Sequence, residues 1–354
     1  MQNKKVLIAM SGGVDSSVAA YLLKKQGYDI IGLTMKVWDY INKRWRNEKS
    51  IEDAQKIADD LNFPLHIVDL EDKFNKIIIQ NFINEYTNGR TPNPCVLCNK
   101  TIKWGAFLEL ADKYNCDYLA SGHYIKLRNE NNRYIISKSN DTHKDQSYFL
   151  WAVSQQSLSR AIFPLANYTK PQVKEMAIKF GIKHIAQKKE SSEICFVPND
   201  DYRSFLKISI PDYNKKIIPG DFIDTSGKIL GKHKGLVNYT IGQRRGLEIA
   251  VGYPLYVLKL DVEKNQVILG QKNELSTNKL RIKDYNLMKY DNLKTGQEFE
   301  TKIRYKNQGF TSRITKIDKQ NIEFEFYDKI YGVTPGQSAV FYEGNDLIGG
   351  GIIC

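Results

Sequence analysis

The chain has 354 residues, 52 Lys plus Arg against 40 Asp plus Glu, a formal net charge of +12, and five cysteines. No apolar run is long enough to span a bilayer, and an odd cysteine count spread over a long chain is not an extracellular disulfide framework, which excludes the membrane-spanning and disulfide-stapled classes. Met1–Lys5 leads straight into a strand, so no signal segment is expected, and a cytoplasmic protein of two or three domains without a membrane partner is. The basic surplus favours a polyanionic partner, nucleic acid first, although the abundance of Lys, Asn and Ile throughout could raise the charge by itself. In chain order, strands are expected at Val6–Ala9, Ile30–Met35, Leu65–Asp69 and Asp117–Ala120. Helices are expected at Ser16–Lys25, Ser50–Leu61, Lys73–Tyr86, Lys100–Leu110 and Lys170–Phe180. The divergent basic stretch between Trp38 and Ser50 is read as a loop without a role. This alternation argues a doubly wound parallel α/β sheet with ligands at the carboxyl ends of its strands. From about residue 210 short β-rich runs replace the helices, at Tyr256–Leu260, Gln266–Leu269, Phe299–Tyr305, Ile322–Phe326 and Ser338–Phe341. The expected division is an α/β domain over 1–210, a β-rich central module over 211–277 and a C-terminal β-barrel-like domain over 278–354.

The first motif is Ser11-Gly-Gly-Val-Asp-Ser-Ser17, between the first strand and the first helix. Gly12 and Gly13 permit backbone angles that turn consecutive N–H groups into one concavity. The dipole of the following helix adds positive potential, and the hydroxyls of Ser11, Ser16 and Ser17 add donors. The loop suits phosphate but lacks the Gly-Lys-Ser/Thr ending of a Walker A loop. It resembles the PP-loop of the ATP pyrophosphatases, which split ATP between the α and β phosphates; the bland alternative is an ordinary strand-to-helix turn.

The second motif is Gly89-Arg-Thr-Pro-Asn-Pro-Cys-Val-Leu-Cys-Asn-Lys100. Its prolines argue for a stiff loop up to the helix resuming at Lys100, which puts Cys98 near a helix N-terminus beside Lys100 and Lys103, a setting that stabilises a thiolate. The Cys95–Cys98 pair has three readings: a structural zinc site, which wants a second pair that is absent; an iron–sulfur cluster using one distant cysteine; and, favoured, a reactive pair without metal. The third motif, Lys188-Lys-Glu-Ser-Ser-Glu-Ile-Cys-Phe-Val197, places Cys195 after a basic loop, where a buried structural cysteine is the alternative. Cys116 and Cys354 carry no local signal and are read as structural.

With Gly32–Lys36, Ser121-Gly-His-Tyr124, Lys144-Asp-Gln-Ser-Tyr-Phe-Leu150, Tyr239–Leu247, Arg304-Tyr305 and Val333–Tyr342 added in order, the whole chain resembles the bacterial tRNA-specific 2-thiouridylases. The resemblance implies an adenine nucleotide α-hydrolase-like PP-loop fold and ATP-dependent 2-thiolation of a wobble uridine in tRNA. It implies that Ala9, Met10, Ser11, Gly12, Gly13, Val14, Asp15, Ser16 and Ser17 hold ATP, with Met35 and Gly122 lining the nucleotide site, and that Mg2+ accompanies it. Cys195 would carry a persulfide from a sulfur-relay protein, with Cys98 as catalytic partner. Adenylation of uridine O2 would precede sulfur attack at C2, either by the persulfide itself or by sulfide released when Cys98 attacks it. Asn93, Pro94 and Cys95 would face the target base, and His123, Lys144, Asp145, Gln146, Arg304, Tyr305 and Gln337 would contact tRNA. Each of these alone could as well be structural or solvated, and the β-rich modules mere scaffolds, although Gln243-Arg-Arg245 favours RNA docking. One departure stands out: many members have Asp where this chain has Cys95. Cysteine supplies no permanent charge, so an activating role for that Asp does not carry over, and Cys95, Cys98 and Cys195 together would suit a cluster with one open iron. The rival readings are a PP-loop enzyme adenylating a small molecule, indifferent to the cysteines, and a redox-responsive RNA-binding protein that uses ATP only as a ligand.

Overall fold

A computed structural model describes residues 4–36, 38–39, 44–45, 48–187 and 194–354. Most of the basic stretch between Trp38 and Glu48, and Lys188–Glu193 of the third motif, lie outside the described residues. The chain divides into two compact units. One comprises 1–77, 95–200 and 345–347; the other comprises 78–94, 201–344 and 348–354.

The first unit is built on a parallel sheet. Its strands are β1 (Lys5–Ala9), β2 (Asp29–Met35), β3 (Leu65–Val68), β4 (Tyr118–Ala120) and the two-residue Ala161–Ile162, in the spatial order β3, β2, β1, β4, Ala161–Ile162. The apolar run Val6-Leu-Ile is fully buried because β1 is central and covered on both faces, as a parallel sheet requires. Helices α1 (Val14–Lys25) and α2 (Glu48–Asp60) pack on it with α3 (Lys170–Lys179); Val18, Ala19, Leu23, Ala54, Ile57, Val173 and Ala177 share one core. The Gly32 backbone passes so close to Leu65 and Phe63 that a Cβ there would sit 2.7 Å from a Leu65 methyl. An antiparallel hairpin, Ile125–Glu130 with Arg133–Lys138, completes the unit, turning at Asn131 and Asn132 with φ of 51° and 61°. Its Ser137 pairs with Asp346, and Arg128 forms a two-pronged ion pair with the same carboxylate at 2.7 and 2.8 Å.

The second unit holds two β cores. Strands Gly220–Ile223, Ile229–His233, Tyr256–Asp261 and Gln266–Gly270 form a mixed sheet around Phe222, Val257, Val267 and Leu269. Strands Ser276–Leu287, Glu298–Lys302, Phe310–Ile317, Asn321–Tyr331, Ser338–Glu343 and Asp346–Ile353 form an antiparallel array closed by pairing of the first with the last, Ile282 opposite Ile353. Closure removes sheet edges, and the alternation of Asn321–Phe326 aims Ile322, Phe324 and Phe326 into the barrel. The fold is thus the expected parallel α/β sheet followed by a small β-rich module and a C-terminal barrel. The strand expected to run to Tyr305 stops at Lys302, where the chain turns out.

Candidate active site

The loop from Met10 to Gly13 joins β1 to α1 at the carboxyl edge of the sheet, with the Met10 N–H donating to Leu33 O on β2 at 2.7 Å. Gly12 lies at φ +68°, and a Cβ there would collide with the Ser50 carbonyl at the start of α2. Gly122, just beyond β4, approaches α1 so closely that a Cβ would lie 2.8 Å from Ser16 N and the Asp15 carbonyl carbon. Both glycines are therefore required by packing around the loop. Gly13, as N-cap, offers no side-chain oxygen to the first turn of α1, which leaves that helix end suited to an external anion. The hydroxyls read as phosphate donors are engaged within the loop: Ser16 Oγ and Ser17 Oγ donate to Gly13 O at 3.1 and 3.0 Å, and Ser11 Oγ lies 3.2 Å from Ser16 Oγ. They rigidify the loop.

Asp15, in the first turn of α1, is held from two sides. Tyr124 OH donates to its Oδ1 at 2.6 Å, and Lys170 Nζ sits 2.7 Å from both carboxylate oxygens. Lys170 is buried, yet it opens α3, the helix end where a cation is disfavoured by the dipole. Its backbone N–H donates to Asp141 Oδ2 at 2.8 Å, and Asp141 Oδ1 accepts from His143 N and Lys144 N at 3.0 and 3.1 Å. Neither Lys170 nor Asp141 stood out in the sequence, although a lysine in the first turn of a helix was itself a signal that a local anion is present.

The cysteine motif differs from expectation. Pro94 does not end the loop; it opens a helical turn, Pro94–Cys98, that runs into a wide π-helical stretch at Asn99–Ala106 and on through Phe107–Lys113. Proline is suited to a first helical position, where its missing N–H has no intrahelical partner anyway. Cys98 therefore lies at the end of the first turn and is buried, with 8% of its surface exposed. Burial pushes its thiol up to about 12; Lys103 pulls downward, and Cys195 and Cys95 push upward. The expectation of a stabilised thiolate at Cys98 is corrected: loss of hydration outweighs both the helix end and Lys103. Cys195 is exposed and Cys95 half-buried. The three thiols lie within one electrostatic neighbourhood, but among the described residues no three His, Cys, Asp or Glu side chains are grouped to hold a metal. The cluster reading thus finds no ligand set there.

The residues expected to meet RNA fall into two groups. In the first unit, His123 is buried, its Nδ1 2.6 Å from Ser121 Oγ, and burial followed by the charge of Lys103 lowers its pKa well below the usual histidine value. Asp145 is buried and accepts from Ser139 N at 3.1 Å and Ser147 Oγ at 2.7 Å. Gln146 Oε1 accepts from Tyr124 N at 3.0 Å. These side chains brace the loop, whose exposed residues are Thr142 and His143, with Lys144 half-buried. In the second unit, Gln337 Nε2 donates to Thr91 O and Pro92 O at 3.0 and 2.9 Å, fixing the approach to Asn93 and Pro94. Arg304 is engaged by Gly332 O and Thr334 Oγ1, both at 2.8 Å.

Comparison with known proteins bears on the whole chain. Residues 4–199 match the family described as tRNA methyl transferase HUP domain, 204–271 the tRNA methyl transferase PRC-barrel domain, and 277–353 the aminomethyltransferase beta-barrel domain. A protein of Cytophaga hutchinsonii named tRNA-specific 2-thiouridylase MnmA is 48% identical, the alignment covering 99% of this chain and 97% of that protein. One of the same name from Amoebophilus asiaticus is 46% identical over 100% of this chain and 96% of its own. Among solved structures, the U34-tRNA thiolase NcsA from Methanococcus maripaludis, with its 4Fe–4S cluster, matches 58% of this chain and 65% of that one at 21% identity with a TM-score of 0.37, too slight a likeness to carry an argument. Among the described residues no helix is long and apolar enough to cross a membrane.

Proposed function

The chain belongs to the tRNA-specific 2-thiouridylase family, and from that premise we propose that it thiolates C2 of the wobble uridine of tRNA, using ATP and the cysteines Cys98 and Cys195. The observation that carries the reading is the coexistence, in one unit, of a glycine-dependent phosphate loop at the carboxyl edge of a parallel sheet and a thiol neighbourhood of buried Cys98 and exposed Cys195. The methyl transfer named in the family descriptions needs neither a pyrophosphate leaving group nor paired thiols.

ATP fits the loop: the backbone from Ala9 to Ser17 cradles the phosphates, and Met35 at the end of β2 and Gly122 after β4 border the nucleotide. Mg2+ would arrive on the phosphates, its usual manner of binding with few protein ligands, and would supply charge neutralisation as pyrophosphate departs. Uridine O2 attacks the α-phosphorus, pyrophosphate leaves, and the oxygen becomes part of a phosphate ester able to depart. Cys195, exposed, is suited to receive a terminal sulfur from a relay protein as Cys195–S–SH. Either that outer sulfur attacks C2 directly and the Cys98 thiolate then attacks Cys195 Sγ, breaking the S–S bond and leaving the sulfur on the base, or the Cys98 thiolate attacks Cys195 Sγ first and releases hydrosulfide that attacks C2; both routes end in the Cys98–Cys195 disulfide. In both routes AMP carries off the former O2. Burial holds the Cys98 thiol protonated, so it must lose its proton before it acts. Asn93, Pro94 and Cys95 are proposed to border the base, with His123, Lys144–Gln146, Arg304, Tyr305 and Gln337 along the tRNA.

Single-turnover incubation of anaerobically and aerobically prepared protein with unmodified tRNA, ATP, Mg2+ and a persulfide donor tests the reading. The expected result is one 2-thiouridine per AMP, lost in Cys195→Ser and Cys98→Ser and retained by iron-free protein. Thiolation by both variants at the wild-type level would refute it.

A further inference from the structure

The 139–149 segment, whose Lys144–Gln146 stretch faces RNA in the reading above, is joined to the phosphate loop by two separate arms of short hydrogen bonds. In one arm the Asp141 carboxylate collects the loop N–H groups of His143 and Lys144 on one oxygen and the N–H of Lys170 on the other, at 2.8 to 3.1 Å. Lys170 then delivers its ammonium to Asp15 at 2.7 Å. In the other arm Gln146 and Tyr124 exchange hydrogen bonds: Tyr124 N donates to Gln146 Oε1 at 3.0 Å, and Gln146 N donates to Tyr124 O at 3.1 Å. The Tyr124 hydroxyl then meets Asp15 at 2.6 Å. Both arms converge on one carboxylate in the first turn of the helix that receives the phosphates. Asp141, Lys170 and Tyr124 are all buried, so the arms have little freedom to slacken into solvent.

We propose that Asp141, Lys170 and Tyr124 are positioning residues that couple tRNA binding at the 144–146 loop to nucleotide binding at the phosphate loop. The proposal rests on the reading of both loops given above. The physical basis is competition for Lys170. Without nucleotide its ammonium neutralises Asp15; a bound triphosphate places stronger negative charge beside the same carboxylate and draws the ammonium toward itself. Any shift of Lys170 is felt at Asp141, because its backbone N–H is bound there, and hence at the N–H groups of His143 and Lys144. RNA that fixes the 144–146 backbone selects one position of this linkage, and so favours one arrangement of Asp15 and Lys170. Two ligands that prefer the same arrangement bind cooperatively, and the effect is reciprocal.

The test measures the dissociation constant of the α,β-methylene analogue of ATP, with Mg2+, for the full-length protein, without and with saturating unmodified tRNA. Wild type is expected to bind the analogue about fivefold or more tightly in the presence of tRNA, and to bind tRNA more tightly by the same factor when the analogue is present. Asp141→Asn, which keeps the shape but weakens the pull on three N–H groups, and Tyr124→Phe, which removes one hydroxyl, are each expected to bring both factors below about twofold. The tRNA-free affinity for the analogue should stay within about threefold of wild type. Variants that retain the full wild-type factor overturn the proposal. So does a wild type that binds the analogue with a factor of one, or an Asp141→Asn protein whose tRNA-free nucleotide binding is itself lost. A wild type that does not bind the analogue at all removes the functional reading instead, so the two failures are distinguishable.

Discussion

At the scale of single residues, the roles proposed for Cys98 and Cys195 divide two requirements that one thiol cannot meet together. A sulfur acceptor must be reachable by another protein, and Cys195 is exposed. A partner that is to act only once substrate is seated is better kept protonated, and burial holds the Cys98 thiol near 12. This has a direct consequence for alkylation by iodoacetamide. An ordinary thiol ionises around pH 8.5, so its reaction levels off above about pH 9. Cys98 in the free protein is expected to react slowly and to accelerate about tenfold per pH unit up to at least pH 10, without levelling; peptide mapping by mass spectrometry reads this out site by site. A plateau below pH 10 would mean the thiol is not held protonated by burial. The cysteines themselves were legible in the sequence, as a C-x-x-C pair and a third in Glu-Ile-Cys-Phe. The ionisation state of Cys98 was not, because lysines nearby in sequence suggest a thiolate while burial, which sequence does not display, decides the sign. Lys170 and Asp141 were missed for a related reason: their meaning lies in contacts with residues 155 positions and 29 positions away.

At the scale of elements, the strand–loop–helix from Lys5 to Lys25 was read almost as it stands, because its apolar run, glycine pair and helical spacing all agree. The proline-rich loop was not. The prolines argue against helix, whereas the Pro94 ring suits a first turn, and the helix starts six residues before the expected Lys100–Leu110 stretch. The hairpin 125–138 also escaped notice. Its turn, Asn131-Asn132 with both φ positive, is a recognised two-residue hairpin signal, but the strands flanking it, Ile-Lys-Leu-Arg and Arg-Tyr-Ile-Ile, alternate too weakly to draw attention. The phosphate loop offers a clean test of why its glycines are there. Gly12 and Gly27 both adopt positive φ, but a Cβ at Gly27 meets open space while one at Gly12 meets the Ser50 backbone. Gly27→Ala is expected to cost about 1 kcal/mol of stability, from backbone strain alone, with nucleotide binding intact. Gly12→Ala is expected to weaken nucleotide binding at least about tenfold in addition. Thermal melting and titration with an ATP analogue distinguish them, and equal behaviour of the two variants would mean the loop does not need its close approach to α2.

At the scale of the whole molecule, the α/β sheet, the β-rich module and the closed barrel follow from the change in texture near residue 210, and the full-length relatives match from one end of the chain to the other. The net charge of +12 suits a tRNA-sized polyanion, and exposed Arg244 and Arg245 give the β-rich module a basic face of its own. The central claim is that Cys195 carries the sulfur that ends on the uridine. The most direct measurement loads the protein with one isotopically labelled persulfide sulfur, removes the donor, adds unmodified tRNA and ATP with Mg2+, and follows the label by mass spectrometry. The account predicts label on the Cys195 peptide at the start, its disappearance from protein on ATP addition, and its recovery in 2-thiouridine in equal amount. Label that stays on Cys195 while tRNA is thiolated from another source would contradict the account at its centre.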